Sequence, residues 1–143
     1  MFDNSHWSKT QFLLEKAMDV SMLRGKVIAD NMSNVDVPHF KRSDVTFEAQ
    51  LRRALDTEKT VQDNEIPARM TDAKHIPFFR SPDFHRVEPK VNLDYMTSMR
   101  NDGNNVDMEH ETNEFLKNRL RYELLANKIN SNFRLMNIVL RVA

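Results

Sequence analysis

The residues able to do chemistry are few and scattered. The chain has five histidines, His6, His39, His75, His85 and His110, and no cysteine. Disulfides, thiolate metal sites and a cysteine nucleophile are therefore excluded. His110-Glu111-Thr112-Asn113-Glu114 has the first half of a zinc-protease helix motif. The motif needs a second histidine one helical turn on, so that both imidazoles face one metal, and Glu114 stands there instead. The stretch reads as a solvated helix face. No Gly-rich phosphate loop, nucleophile elbow or dinucleotide fingerprint occurs. Carboxylates are plentiful, but an acid–base pair needs a pocket to bring two of them together. The expectation is no enzyme: no catalytic residues, no cofactor and no metal.

Composition narrows the class further. In 143 residues Lys+Arg is 21 and Asp+Glu is 21, a formal net charge of zero. Non-specific binding to nucleic acid or to an anionic membrane needs a net basic surface. The basic clusters Lys41-Arg42, Arg52-Arg53 and Lys117-Arg119-Arg121 are short, balanced by nearby acid, and read as solvated. Neither a nucleic acid nor a small-molecule substrate is expected as partner. Gly is 2 and Pro is 5, too few turn residues for a typical β-sandwich. No apolar run is long enough to span a bilayer. Met1 to Lys9 lacks a basic segment followed by an apolar one, so no secretory signal peptide is expected.

Helical periodicity occupies the two ends. Leu14, Met18, Ser21, Gly25, Ile28, Met32 and Val35 recur at alternating steps of four and three, the spacing of a coiled-coil seam. Ser21 and Gly25 on that seam allow close approach of a partner helix. Asn34 and Pro38 end the segment, Asn by tolerating a left-handed cap and Pro by restricting Val37. Met108, Thr112, Phe115, Arg119, Tyr122, Ala126, Ile129, Phe133, Met136 and Leu140 keep the same alternation at the other end. Leu116, Leu120, Leu124, Leu125 and Leu135 lie beside or off this stripe and give the helix a second apolar face. Asn105 or Asp107 can cap its start. A helix from about 107 to 141 is roughly 50 Å long. Leu14, Met18, Ile28, Met32, Phe115, Tyr122, Ile129, Phe133, Met136 and Leu140 are the expected packing and assembly residues. Two such helices carry more apolar face than one hairpin buries, which implies neighbouring subunits.

Four of the five prolines punctuate the middle. Phe47, Leu51 and Leu55 predict a short helix over 43–55, and Ile76–Phe79 and Val87–Leu93 short extended pieces. The expected fold is mainly α. Long N- and C-terminal helices (1–35 and 105–143) pair as an antiparallel coiled coil. A largely irregular connecting segment (36–104) holds the short helix.

Two motifs carry a resemblance. Ala29-Asp30-Asn31-Met32-Ser33-Asn34-Val35-Asp36-Val37-Pro38-His39-Phe40-Lys41 resembles the N-terminal signature of bacterial flagellar rod and hook axial proteins, A-N-N-(I/L)-A-N-x-(D/N)-T-P-G-(Y/F)-K. Gly103-Asn104-Asn105-Val106-Asp107-Met108-Glu109 resembles that family's G-N-(N/T)-V-D-(L/M)-E, which also opens its C-terminal helix. Asp44 to Leu55, Arg121-Tyr122 and Thr71 to Ile76 are similar to shorter family elements. A length near 140 and no inserted outer domain resemble the short proximal rod members. The motif residues are Asn31, Asn34, Asp36, Pro38, Phe40, Gly103, Asn104, Val106, Asp107 and Glu109. Asp30, Val37 and His39 depart from the signature, replacing Asn, Thr and Gly. If that glycine position needs a positive φ, His39 is strained there or the turn differs.

The resemblance implies a structural subunit of the flagellar basal-body proximal rod, stacking helically as drive shaft around the export channel. It implies type III export without signal-peptide cleavage, and a periplasmic final location. The implied partners are other copies of the chain, other rod proteins, the rod–membrane-ring adaptor and the export gate. The alternatives are a sibling proximal rod protein, and a helical coiled-coil adaptor or secretion chaperone, which would form a closed oligomer.

Overall fold

The computed structural model describes residues 6–63, 72, 74 and 83–142. The expected extended piece at Ile76–Phe79 lies outside them, and so does most of the Thr71–Ile76 element. The protein is mainly helical. Helix α1 runs His6–Ser33, strand β1 Ser43–Thr46, helix α2 Glu48–Asp63, strand β2 Lys90–Leu93 and helix α3 Met108–Val142, with a 3-10 turn at Phe84–Arg86.

The chain divides into two compact units, one of residues 1–45 and 91–143, the other of residues 46–90. In the first, α1 and α3 pack along each other. Their direction follows from two bonds. Asn31 meets Glu111, and Ser21 meets Asn118, so position falls along α1 as it rises along α3. The helices are antiparallel. Among the described residues, Val20, Ile28, Val45 and Val106 are the buried apolar residues of this unit.

Asn34 stops α1. Its backbone N–H and its side-chain Nδ2 both donate to the Asp30 carbonyl, at 3.2 and 2.7 Å. At the other end Asp107 caps α3, its Oδ1 accepting from the Glu109 N–H at 2.9 Å and the His110 N–H at 3.4 Å. One carboxylate thereby satisfies two of the four orphan donors of a helix start. Glu109 and Glu111 in the first turn and Arg141 in the last suit the helix dipole.

The short helix begins later than 43 and ends later than 55. Ser43–Thr46 is strand, and α2 occupies Glu48–Asp63. The reason is local pairing. The Ser43 backbone is bonded on both its N–H and its carbonyl, and β-branched Val45 and Thr46 favour the extended form. Strands β1 and β2 make a two-stranded sheet. The Asp94 N–H, just after β2, donates to the Arg42 carbonyl, just before β1, so the strands are antiparallel.

In the second unit α2 packs against the 3-10 turn. Phe47, Ala54, Phe84 and Val87 are buried. Asp83 starts the turn by accepting from the His85 N–H at 3.1 Å. That bond, followed by one from the His85 ring, holds the Asp83 carboxyl below its ordinary pKa.

Candidate functional site

The two terminal motifs fold onto one another. Asn31, near the end of α1, is fully buried. Its Nδ2 donates to the Ser43 carbonyl at 2.9 Å, and its Oδ1 accepts from the Ser43 N–H at 3.0 Å. A side-chain amide thus pairs with a backbone as a neighbouring strand would. Nδ2 also donates to Glu111 Oε2 on α3 at 3.2 Å. Glu111 is likewise fully buried, and its other oxygen accepts from Arg42 Nε at 2.5 Å. Burial works against the Arg42 charge. The hydrogen bond to Glu111 and the nearby charges of Glu111, Asp44 and Asp94 outweigh it and raise the guanidinium pKa.

A second lock uses Asn104, also fully buried. Its Nδ2 donates to three carbonyls of the loop after α1: Asn34 at 3.1 Å, Val35 at 3.0 Å and Val37 at 2.9 Å. Its Oδ1 accepts from the Val106 N–H at 2.7 Å. The neighbouring Asn105 accepts from the Arg42 N–H at 2.6 Å and donates to the Asp94 carbonyl and to Thr97 Oγ1. Buried polar groups cost about 1–3 kcal/mol each when unpaired. Here three buried asparagines engage both their oxygen and their nitrogen.

Cations fasten the rim in both directions. Lys41 Nζ donates to the Thr97 and Gly103 carbonyls at 3.0 and 2.9 Å. Arg100 reaches the other way, to the Val35 carbonyl at 3.0 Å and the Asp36 carboxylate at 3.2 Å. His39 sits between them at φ 61°, and its N–H donates to the Asp102 carbonyl at 3.0 Å. Positive φ is several-fold enriched for His among non-glycine residues but still strained. Gly103 lies opposite at φ 78°, and a Cβ there would approach His39 Nδ1 to 2.9 Å. Glycine is favoured at 103 on both counts.

The motif residues otherwise divide by burial. Val106 is buried, Phe40 half-buried, and Pro38, Asp36 and Glu109 are exposed. Arg42, Asn105, Glu111 and Arg100 carry much of the junction and were not among the expected site residues. Lys41-Arg42 and Glu111, read from sequence as solvated, are bonded into the junction because each meets a polar group from the opposite motif. Lys117 and Arg119 do face solvent, where they pair with Glu114 and Glu123. The carboxylate of Glu111 is committed to Asn31 and Arg42, while His110 is exposed. Among the described residues no group of His, Asp and Glu is arranged to hold a metal ion.

Of the expected packing residues, Ile28 is buried, and Leu14, Met18, Met32, Ile129 and Met136 are half-buried. Phe115, Tyr122, Phe133 and Leu140 are exposed. The line of α3 that meets α1 runs beside them, through Glu111, Asn118, half-buried Leu125 and Asn132. Asn118 Nδ2 donates to the Ser21 carbonyl at 2.8 Å, and a Cβ on Gly25 would lie 3.4 Å from the same nitrogen. Close approach at Ser21 and Gly25 is what lets a side chain of α3 reach the backbone of α1.

Two long helices, locked at one end by buried asparagines from both termini, define a structural module. Its polar groups are turned on each other. The chain is 41% identical to the flagellar basal body rod protein FlgB of Borrelia hermsii over 129 residues, 90% of this chain and 93% of that one. It is 36% identical to the protein of that name from Borreliella burgdorferi, over 87% of this chain and 90% of that one. The Bacillus subtilis protein is 29% identical over 89% of each. No protein-family model matches the sequence. The chain belongs to the family of the flagellar basal body rod protein FlgB. As a member it is a structural protein of the flagellar basal-body rod, in the service of motility. Among the described residues no helix is long and apolar enough to cross a membrane.

Proposed function

We propose that the chain assembles helically through its terminal helices into the proximal rod, as part of the drive shaft around the export channel. The observation that carries this is the outer face of α3. Leu116, Leu120, Leu124, Leu135 and Ile138 are exposed on a helix that already packs against α1. At 3.6 residues per turn, Leu116, Leu120, Leu124 and Ile138 lie about opposite the Glu111–Asn118 line. An apolar face of that extent is a liability in a lone chain and an interface in an assembly. Phe115, Tyr122, Phe133 and Leu140 lie on the other side of the helix, beside the Glu111–Asn118 line, and their exposed edges add to the surface for neighbours. In the rod, α1 and α3 act as an antiparallel coiled coil, and the junction of Asn31, Asn34, Asn104 and Asp107 holds the angle of the chain leaving them.

The partners this reading implies are further copies, other rod proteins, the rod–membrane-ring adaptor and the type III export gate. Delivery is by the flagellar export route without cleavage, to the periplasmic part of the basal body. The family membership and the apolar outer face support it. Leu120→Asp with Leu124→Asp tests it in a motile host. The expected result is a chain still exported but absent from purified basal bodies, with motility lost. Normal swimming, or a discrete closed oligomer of the wild-type chain, would overturn it and favour an adaptor or chaperone role.

A further inference from the structure

The loop between β2 and α3 is pinned, yet it holds large apolar side chains in water. The Asp94 carboxylate accepts from the Met96 N–H at 3.0 Å, the Thr97 N–H at 3.3 Å and the Thr97 hydroxyl at 2.7 Å. Asn105 and Lys41 donate to the Asp94 and Thr97 carbonyls at 2.9 and 3.0 Å, and the Met99 N–H donates to the Asn104 carbonyl at 3.1 Å. Met96 is nonetheless 97% exposed, and Tyr95 and Met99 are 70% exposed. Exposed apolar residues scattered singly are ordinary. Three of them on a backbone fixed in advance form an anchor that needs little further ordering to bind.

The same unit carries a second apolar patch at its far end. Leu135, Ile138 and Val139 are exposed and share one side of α3 at 3.6 residues per turn. They continue the Leu120–Leu124 face. Helix α3 is unbroken from Met108 to Val142, so residue 135 stands about 40 Å from its start at 1.5 Å per residue. The loop is bonded to the residues just before that start, so the two patches of one chain do not meet. Their surroundings differ in charge. Around the loop and the end of α1, Asp30, Asp36, Asp94, Asp102 and Glu109 outnumber Lys41 and Arg100, while Arg42 is matched by Glu111. After Glu123, α3 carries Lys128, Arg134 and Arg141 and no acidic residue. The facing start of α1 has Lys9 and Lys16 against Glu15.

We propose that the Tyr95–Met99 loop of one copy docks on the Leu135–Val139 side of α3 of the next copy, acidic end against basic end. The proposal rests on the assembly reading and names one contact within it. Every copy carries both patches, and opposite charge sets loop against helix rather than loop against loop. Such a contact is heterologous: it leaves a loop open at one end and a helix side open at the other, and repeated it builds a stack.

The chain has no cysteine, so introduced ones report the contact. Ser98→Cys and Val139→Cys leave Tyr95, Met96, Met99, Leu135 and Ile138 in place. The two purified variants are mixed in equal amounts at high concentration and treated with a short bis-maleimide. The crossed dimer should form several-fold faster than either variant's dimer with itself, and the double variant should give a ladder of multimers. Arg134→Glu with Arg141→Glu should lower the crossed yield several-fold. Like-with-like dimers in excess, a double variant that stops at a closed dimer, or a yield indifferent to the two arginine changes would overturn the proposal. Incorporation into basal bodies is scored separately in a motile host. A chain absent from them that still forms the crossed ladder refutes the rod reading and supports the stack. One present in them without a cross-link between positions 98 and 139 refutes the stack alone.

Discussion

The side chain of Asn31 treats Ser43 as one strand treats the next, giving to its carbonyl and taking from its N–H, at 2.9 and 3.0 Å. This pair turns the chain out of α1 and into β1 without a backbone partner of its own. The same amide is bonded to Glu111, 80 positions further on. A helix end, a strand start and the opening of the last helix therefore depend on one residue.

Removing that residue is expected to be severe. Asn31→Ala strands the Ser43 backbone groups and takes one donor from buried Glu111. Global stability falls by about 2–4 kcal/mol, read as a lower urea midpoint. Asn31→Asp is worse, because it sets a second carboxylate against Glu111. A change below 1 kcal/mol would remove Asn31 from the centre of the junction.

The Arg42–Glu111 pair predicts a non-additive cycle. Arg42→Ala leaves a buried carboxylate with Asn31 as its remaining partner and costs about 2–3 kcal/mol. Adding Glu111→Leu removes the stranded charge and recovers part of that loss. The measurement is denaturant unfolding of both single variants and the double. Additive losses would mean the carboxylate finds solvent without Arg42.

His39 and Gly103 predict another cycle. Gly103→Ala forces an L side chain to φ 78° with its Cβ 2.9 Å from the His39 ring, at about 1–2 kcal/mol. His39→Gly relieves its own left-handed strain and stabilises, by at most about 1 kcal/mol. It also removes the ring that the new Cβ meets, so Gly103→Ala is milder in that background. Equal penalties in both backgrounds would show that the ring yields freely.

Asp94 makes the loop before the C-terminal motif sensitive to acid. The Thr97 hydroxyl, then the Met96 N–H, donate to its carboxylate and lower its pKa. The folded group holds its proton less tightly than the unfolded one. The anchor is therefore complete above the ordinary aspartate pKa, about 3.9, and is lost as pH falls through the lower folded value. The Met96 and Thr97 amide resonances should shift over that interval, and Asp94→Asn should abolish the transition.

How much of this was legible follows from what each residue type announces. Asn34, Pro38 and Asp107 state the ends of α1 and α3 by local chemistry alone, and Gly25 states a close approach. The pairing of the ends was legible as two apolar periods and two matching motifs. The polar line within that face was not. A period search ranks positions by apolarity, so it runs through Phe115, Tyr122 and Phe133 and passes beside Glu111 and Asn118. Those two stand seven apart, on the line that continues to Leu125 and Asn132. A polar line at that spacing reads as solvent-facing until the opposite helix supplies a carbonyl and a buried amide. Strand β1 was hidden for the same reason: what holds Ser43 extended is Asn31, a side chain twelve positions back.

The locks join the beginning of the chain to its end. Ser21 finds its counterpart 97 positions later, and Asn34 finds its own 70 later. If the chain travels by the export route proposed above, first residue leading, its opening helix is without a match for nearly the whole transit. It stays pliable while it travels. The latch closes when the final helix arrives, so the moment of setting is timed by the tail rather than the head.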